Sequence, residues 1–243
     1  MLWKVRLWDE NDVPGPWRQA SFETGIDRWQ ADWITGDYKA DKKRRYPVDC
    51  FRKTFSASGV KKARLYITAC GLYEAKLNGE RVGDMILAPG ITDYRKRVQY
   101  QTWDVTGLLR QGENELAVQL ADGWYRGSCG AWGLKNQYGT QTKLLAQLEL
   151  VQADGSTRII ATDGSWDWSS DGPIRFADNK DGEAVEAARV PGYGGRGRDG
   201  GSLFRRRPGC QKHGKNAHHS PRRNTDPADG KNRHFRKQAA QQL

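Results

Sequence analysis

The chain has 243 residues, enough for one or two domains, and a formal net charge of +11. Taken whole, that charge suggests a binder of nucleic acid or membranes, but residues 194–243 hold 13 Lys and Arg against 3 Asp and Glu, while residues 1–193 hold 27 against 26. The first 193 residues are therefore a near-neutral body and the basicity belongs to the tail, and no apolar run approaches the roughly 18–20 residues that span a bilayer.

Residues 2–8, "LWKVRLW", alternate between two faces, "DENDVPGPW" is a turn, and "QASFETG" reads as a second strand. A lone hairpin is marginal in water. These strands are therefore expected to belong to a larger sheet, as in a domain cut on its N-terminal side. The start has no signal-peptide h-region, so a cytoplasmic location is expected. "DYKADKKRRYP" (37–47) is charged and reads as an exposed loop.

From Cys50 onward strands are predicted at short intervals. They are "CFRKTF", "ARLYITAC", "LYEAKLNG", "RVGDMIL", "VQYQTWDVT", "ELAVQLA", "LLAQLELVQ", "TRIIATD" and "SWDWS". Separators rich in Gly, Asn and Asp lie between them. No segment shows a convincing 3.6-residue period over ten residues. Many short strands divided by turns predict an all-β fold, a β-sandwich or jelly roll. Asn78-Gly79 predicts a type I′ hairpin turn with Tyr73, Ala75 and Leu77 on one face and Glu74 and Lys76 on the other. Asp154-Gly155 predicts a second turn of that kind. "VTGLL" allows a single helical turn, and "QGEN" then reverses the chain into "ELAVQL".

Four cysteines (Cys50, Cys70, Cys129, Cys210) show no C-x-x-C pair, which argues against a disulfide framework and for a reducing compartment. The tail lacks Val and Ile, carries all four His and none of the ten Trp. It is expected to be a disordered basic tail, since so little apolar area cannot offset about 1–2 kcal/mol of backbone ordering per residue. Phosphate neutralisation by "FRRRPG", "SPRRN" and "RHFRKQ" is conceivable, but only Phe204 and Phe235 offer stacking, so nucleic-acid binding is disfavoured.

Several ordered motifs carry a resemblance. Leu-Asn-Gly-x-x-Val-Gly (77–83), Asp-Val-Thr (104–106) and Gly-Glu-Asn (112–114) look like the sugar-binding jelly roll that precedes many glycoside hydrolase catalytic domains. The wider strings "GLYEAKLNGERVGD", "LAPGITDYRKRVQYQTWDVTGLL", "GENELAVQLADGWYRG" and "KDGEAVEAARVPG" resemble the N-terminal region of bacterial α-L-rhamnosidases of glycoside hydrolase family 78. Glu186 stands where that family more often has Asp. The opening 28 residues resemble the last two strands of a fibronectin type III-like domain. The resemblance implies three parts: a fibronectin-like hairpin remnant (1–28), a galactose-binding-like β-sandwich (29–193) and the tail (194–243). It also implies an enzyme that hydrolyses terminal α-L-rhamnosyl groups of glycosides or polysaccharides by inversion. The catalytic carboxylates of that family lie on an (α/α)6 barrel absent from this sequence, so the chain alone is expected to be inactive and to serve substrate recognition or scaffolding. A stand-alone carbohydrate-binding module is the alternative. The abrupt change of composition after "VPGYG" is read as an out-of-frame continuation, which re-reading the DNA in the other two frames tests.

No catalytic residue, metal ligand or cofactor is assigned. The acidic residues Asp84, Asp93, Asp122, Asp154, Asp163 and Asp171 sit in turns, and sequence pairs no two of them across a cleft. "DNKDGE" (178–183) resembles half of a calcium loop but lacks the distal Glu, and reads as a plain turn. The loop "ADGWYRGSCGAWGLKNQYG" (121–139) holds the substrate-binding candidates: Asp122, Trp124, Tyr125, Arg126, Trp132 and Tyr138. Flat aromatic faces stack on sugar rings, and Asp and Arg can hydrogen-bond hydroxyls. The competing role for the same aromatics is to plug one end of the sandwich core.

Overall fold

A computed structural model describes residues 1–199 and the backbone of 217–219, with side chains described through 197. In chain order the strands begin with β1 (Leu2–Val5), β2 (Arg18–Ser21), β3 (Ile34–Thr35), β4 (Asp49–Ala57), β5 (Val60–Cys70), β6 (Leu72–Leu77), β7 (Glu80–Arg81), β8 (Val98–Asp104) and β9 (Gly112–Ala121). They continue with β10 (Lys143–Gln152), β11 (Thr157–Ala161), β12 (Asp167–Ser169), β13 (Ile174–Asp178), β14 (Gly182–Val185), β15 (Gly195–Arg196), β16 (Arg198–Asp199) and β17 (Ala217–His219). One helical turn, α1 (Gly123–Arg126), follows β9, and a 3-10 turn spans Thr106–Leu108.

The fold is an all-β sandwich. One sheet runs β15-β12-β4-β9-β6-β7. The other runs β16-β3-β10-β5-β8-β17, with β11 also paired to β10. Alternation explains the layers. Phe51, Phe55, Leu77, Leu116, Val118 and Leu120 point inward from the first sheet and meet Leu65, Ile67, Leu144, Leu148 and Leu150 of the second. A second cluster lies on the other face of the second sheet, where Tyr66, Cys70 and Leu145 pack with Trp29, Trp33, Tyr94, Tyr100 and Tyr125. Strands β5 and β10 are thus buried on both faces, and "LLAQLELVQ" accordingly reads as nearly continuous apolar sequence rather than strict alternation.

The Asn78-Gly79 turn forms as expected, with φ of 55° and 85° at its two residues. Asn78 also does something the turn alone does not require. Its amide donates to the Leu108 carbonyl and to Asn114 Oδ1, both at 2.8 Å, while its own Oδ1 accepts from Glu115 N–H at 3.0 Å. Asn114 in turn donates to the Arg110 and Gly112 carbonyls, both at 2.9 Å, and accepts from Arg110 N–H. The Leu-Asn-Gly and Gly-Glu-Asn motifs are therefore two halves of one buried polar knot, which joins the β6–β7 turn to the corner before β9. Asp154-Gly155 differs: only Gly155 takes positive φ, and Gln152 N–H donates to Ser156 O, so this is a longer loop than a two-residue I′ turn.

Other expectations need correction. "RVGDMIL" is a strand only through Arg81. Gly83 and Leu87 then take positive φ and turn the chain away from the ladder. Strand β3 and the β13–β14 hairpin escaped notice because both are short; "DNKDGE" forms the turn of that hairpin. The β1–β2 hairpin, by contrast, forms where expected, and it pairs with no further strand among the described residues. The sheets also continue past residue 193, through β15 on β12 and β16 on β3. Strand β17 of the expected tail pairs in parallel with β8, and the rest of that tail lies outside the described residues.

Candidate functional site

Two neighbouring features follow from this architecture: the loop after β9 and a groove on the outer face of the first sheet. The loop opens with α1. Arg126 lies four residues after Asp122, one helical turn on, so their side chains meet: Nε donates to Asp122 Oδ1 at 2.7 Å and the terminal nitrogen lies 2.5 Å from the same oxygen. The guanidinium also donates to the Tyr38 hydroxyl at 2.5 Å and lies over the Tyr46 ring. Tyr38 donates to Asp49, whose fully buried carboxylate accepts from Thr142 (2.5 Å) and Trp168 Nε1 (3.0 Å) as well. Burial pushes Asp49 and Asp122 above the ordinary carboxylate range, and the nearby Arg126 charge offsets only part of that rise.

Tyr125 and Tyr138 converge on Tyr94, with ring centroids 5.2 and 5.0 Å from it, and Trp124 packs half-buried against the same cluster. The rest of the loop is held by the β13–β14 turn. Asp178 Oδ2 accepts from Ser128 N–H at 2.7 Å, Asp181 accepts from Ser128 Oγ and Lys135 Nζ, and Lys180 Nζ donates to the Gly130 carbonyl. Gly127 is needed where the chains touch, because a Cβ there would collide with the Asp178 carboxylate. At the loop's tip Trp132 is 90% exposed.

The six candidate residues therefore separate. Asp122 and Arg126 are joined in a buried ion pair, and Tyr125 is buried in the aromatic cluster. Trp124 and Tyr138 are half-buried, and Trp132 stands in solvent. Sequence reading missed Tyr38 and Asp49, which complete the ion network. They lie far from Arg126 in the chain, and only the sheet register brings them near. The aspartate oxygens of "DNKDGE" are engaged by the chain itself: Asp178 Oδ1 accepts from Lys180 and Asp181 N–H, and Asp181 is paired with Arg45 and Lys135. Among the described residues no three His, Cys, Asp or Glu side chains gather as a metal would require.

The groove has a volume of about 480 Å³. Its floor is the outward row of the sheet, where Glu74 stands opposite Gln119 and Leu72 opposite Ala121. The segment at Ile86 and Leu87 forms one wall, held to β6 by Tyr73 N–H donating to the Ala88 carbonyl at 2.8 Å. The β13–β14 hairpin forms the other wall, with Ile174 and Ala177 below and Asn179 and Glu183 at the rim.

A family model described as the α-L-rhamnosidase N-terminal domain matches residues 58–199. The chain belongs to this family. It is 36% identical over 199 residues to an α-L-rhamnosidase of Formosa agariphila, covering 77% of this chain and 21% of that protein. The structure of α-L-rhamnosidase from Dictyoglomus thermophilum matches with a TM-score of 0.69 at 31% identity, over 90% of this chain and 26% of that one. An α-L-rhamnosidase of Streptomyces avermitilis, solved in complex with L-rhamnose, matches with a TM-score of 0.60 at 46% identity, over 64% and 16%. In each case the α-L-rhamnosidase N-terminal domain family member described here spans about a quarter or less of its relative's length. No helix among the described residues is long and apolar enough to cross a membrane.

Proposed function

We propose that this chain is the accessory β-sandwich of an α-L-rhamnosidase, contributing recognition of rhamnose-containing glycosides or support for a catalytic (α/α)6 barrel, and performing no hydrolysis itself. The observation that carries this reading is the family match, joined to the state of the chain's carboxylates. Glycoside hydrolysis needs two carboxyl groups facing each other across an open cleft, about 5–10 Å apart. Asp49 and Asp122 are buried and committed to internal partners; of the groove's acidic residues, Asp178 is buried and accepts from three backbone N–H groups, and Glu74 and Glu183 line the open floor and the hairpin wall. The test is a rhamnosidase assay of the purified chain on an aryl α-L-rhamnoside. Absence of turnover is expected; robust turnover abolished by a single carboxylate substitution contradicts the reading.

A second reading, a stand-alone carbohydrate-binding module, is favoured by Trp132, an indole held in solvent at the tip of a pinned loop. Tryptophan fluorescence during titration with L-rhamnose separates the two readings. A saturable change lost in Trp132→Ala or Trp124→Ala favours the loop as a module's binding surface.

A further inference from the structure

The groove on the outer face of the first sheet differs from the loop in one respect: it is concave. We infer that it is a saccharide subsite that seats an L-rhamnosyl ring, with the C6 methyl against its aliphatic wall and the ring hydroxyls on its acceptors. The inference rests on the accessory reading and specifies where recognition occurs.

Size, chemistry and shape support it. A volume of about 480 Å³ falls within the range of roughly 300–1,000 Å³ typical of small-molecule sites. The lining is mainly aliphatic but carries the polar side chains of Glu74, Arg81, Gln119, Asp178, Asn179 and Glu183. Among the described residues, the side chains of Asn179 and Glu183 make no hydrogen bond, and Glu74 has only ion pairs of 3.6 and 3.7 Å, to Lys76 and Arg81. Carboxylates and amides accept from hydroxyl donors. Acceptors on Glu74, Gln119, Asn179 and Glu183, with the Arg81 guanidinium as donor, suit the hydroxyls of a neutral polyol. The wall supplies the rest. Ile86 is 74% exposed and Leu87 48% exposed, and Leu87 holds its place with φ of +57°, a conformation that disfavours a bulky side chain by roughly 1–2 kcal/mol. Two large aliphatics are thus kept outward beside a floor that carries Glu74 and Gln119. A 6-deoxy sugar presents that combination, a methyl on one side and hydroxyls on the others. A hexose with a C6 hydroxyl places a polar group against Ile86 and Leu87 without a partner.

The test is calorimetric titration of the full chain with methyl α-L-rhamnoside and with methyl α-L-mannoside, which differ only at C6. Binding of the rhamnoside is expected, with the mannoside about tenfold weaker, since an unpaired polar group disfavours burial by about 1–3 kcal/mol. Ala121→Phe fills the floor and Ile86→Asp replaces a surface wall residue. Each is expected to weaken rhamnoside binding about tenfold or more, with Trp132→Ala unchanged. Near-ultraviolet circular dichroism verifies folding; Ile86→Asp, at an exposed position, keeps the test valid if Ala121→Phe does not fold. Binding that survives both groove variants and is lost in Trp132→Ala overturns the inference in favour of the loop. No saturable binding by the native chain also overturns it, yet leaves the accessory reading standing as structural support. Only turnover by the chain overturns that reading.

Discussion

Asn78 and Asn114 show how much of this fold rests on single polar side chains. Asn114 is buried and uses both amide hydrogens and its carbonyl oxygen on the backbone at 110 and 112 and on Asn78. Asn114→Ala removes these bonds and strands several backbone groups, so a loss of about 2–4 kcal/mol is expected in urea unfolding. Asp49 is comparable: Asp49→Ala leaves Thr142, Trp168 and Tyr38 donors without their acceptor, and a similar loss is expected. Ionisation acts in opposite directions at two carboxylates. Burial raises the folded pKa of Asp49, so its contribution favours the folded state at low pH and is lost as pH rises through that pKa. Glu23 is held by Arg64 and Lys62, which lower its pKa from 4.5 to about 2. Its contribution is present above pH 4.5 and lost as pH falls through about 2. Because Glu23 is largely solvent-facing, Glu23→Gln is expected to lose less than about 1 kcal/mol at neutral pH. Chemical denaturation across that acid range should show the difference vanish.

At the scale of elements, legibility followed length and burial. Strands β4 to β6 and β8 to β10 were readable because one or both faces of each meet a core, which imposes alternation or a continuous apolar run. Strand β3 has two residues, and β14 is exposed throughout, so neither leaves a periodic trace. Asn78-Gly79 announced its turn, but its bond to Asn114 was not legible, since nothing local distinguishes a turn asparagine that also reaches across the corner. The loop after β9 was found by its aromatic content. Its internal pairing was not, because Asp49, Tyr38 and Asp178 reach it from remote segments. The β13–β14 turn is what holds it. Asp178→Ala removes the acceptor for Ser128, Lys180 and Asp181 N–H. Faster hydrogen exchange is expected at amides 128–138, with those of β5 and β10 unchanged. Uniform loss of protection would show instead that the loop and sandwich unfold together.

At the scale of the molecule, the sandwich closes its own core, whereas the β1–β2 hairpin leaves Trp3, Leu7, Trp8, Trp17 and Phe22 exposed. Arg6 stacks over Trp8 and Trp17 at 5.4 Å from each ring, which covers part of that surface. Such an apolar face favours association. Deleting residues 1–22 is expected to reduce concentration-dependent light scattering while leaving the sandwich's cooperative unfolding intact. The central claim, a sandwich that recognises a rhamnoside and does not cleave it, is tested most directly by one nuclear magnetic resonance titration of the isotope-labelled chain with methyl α-L-rhamnoside. Shifts are expected only at amides around residues 72–74, 86–87, 119–121 and 174–183, with the glycoside intact. Shifts confined to residues 130–138, no shifts at all, or the appearance of free rhamnose would contradict it.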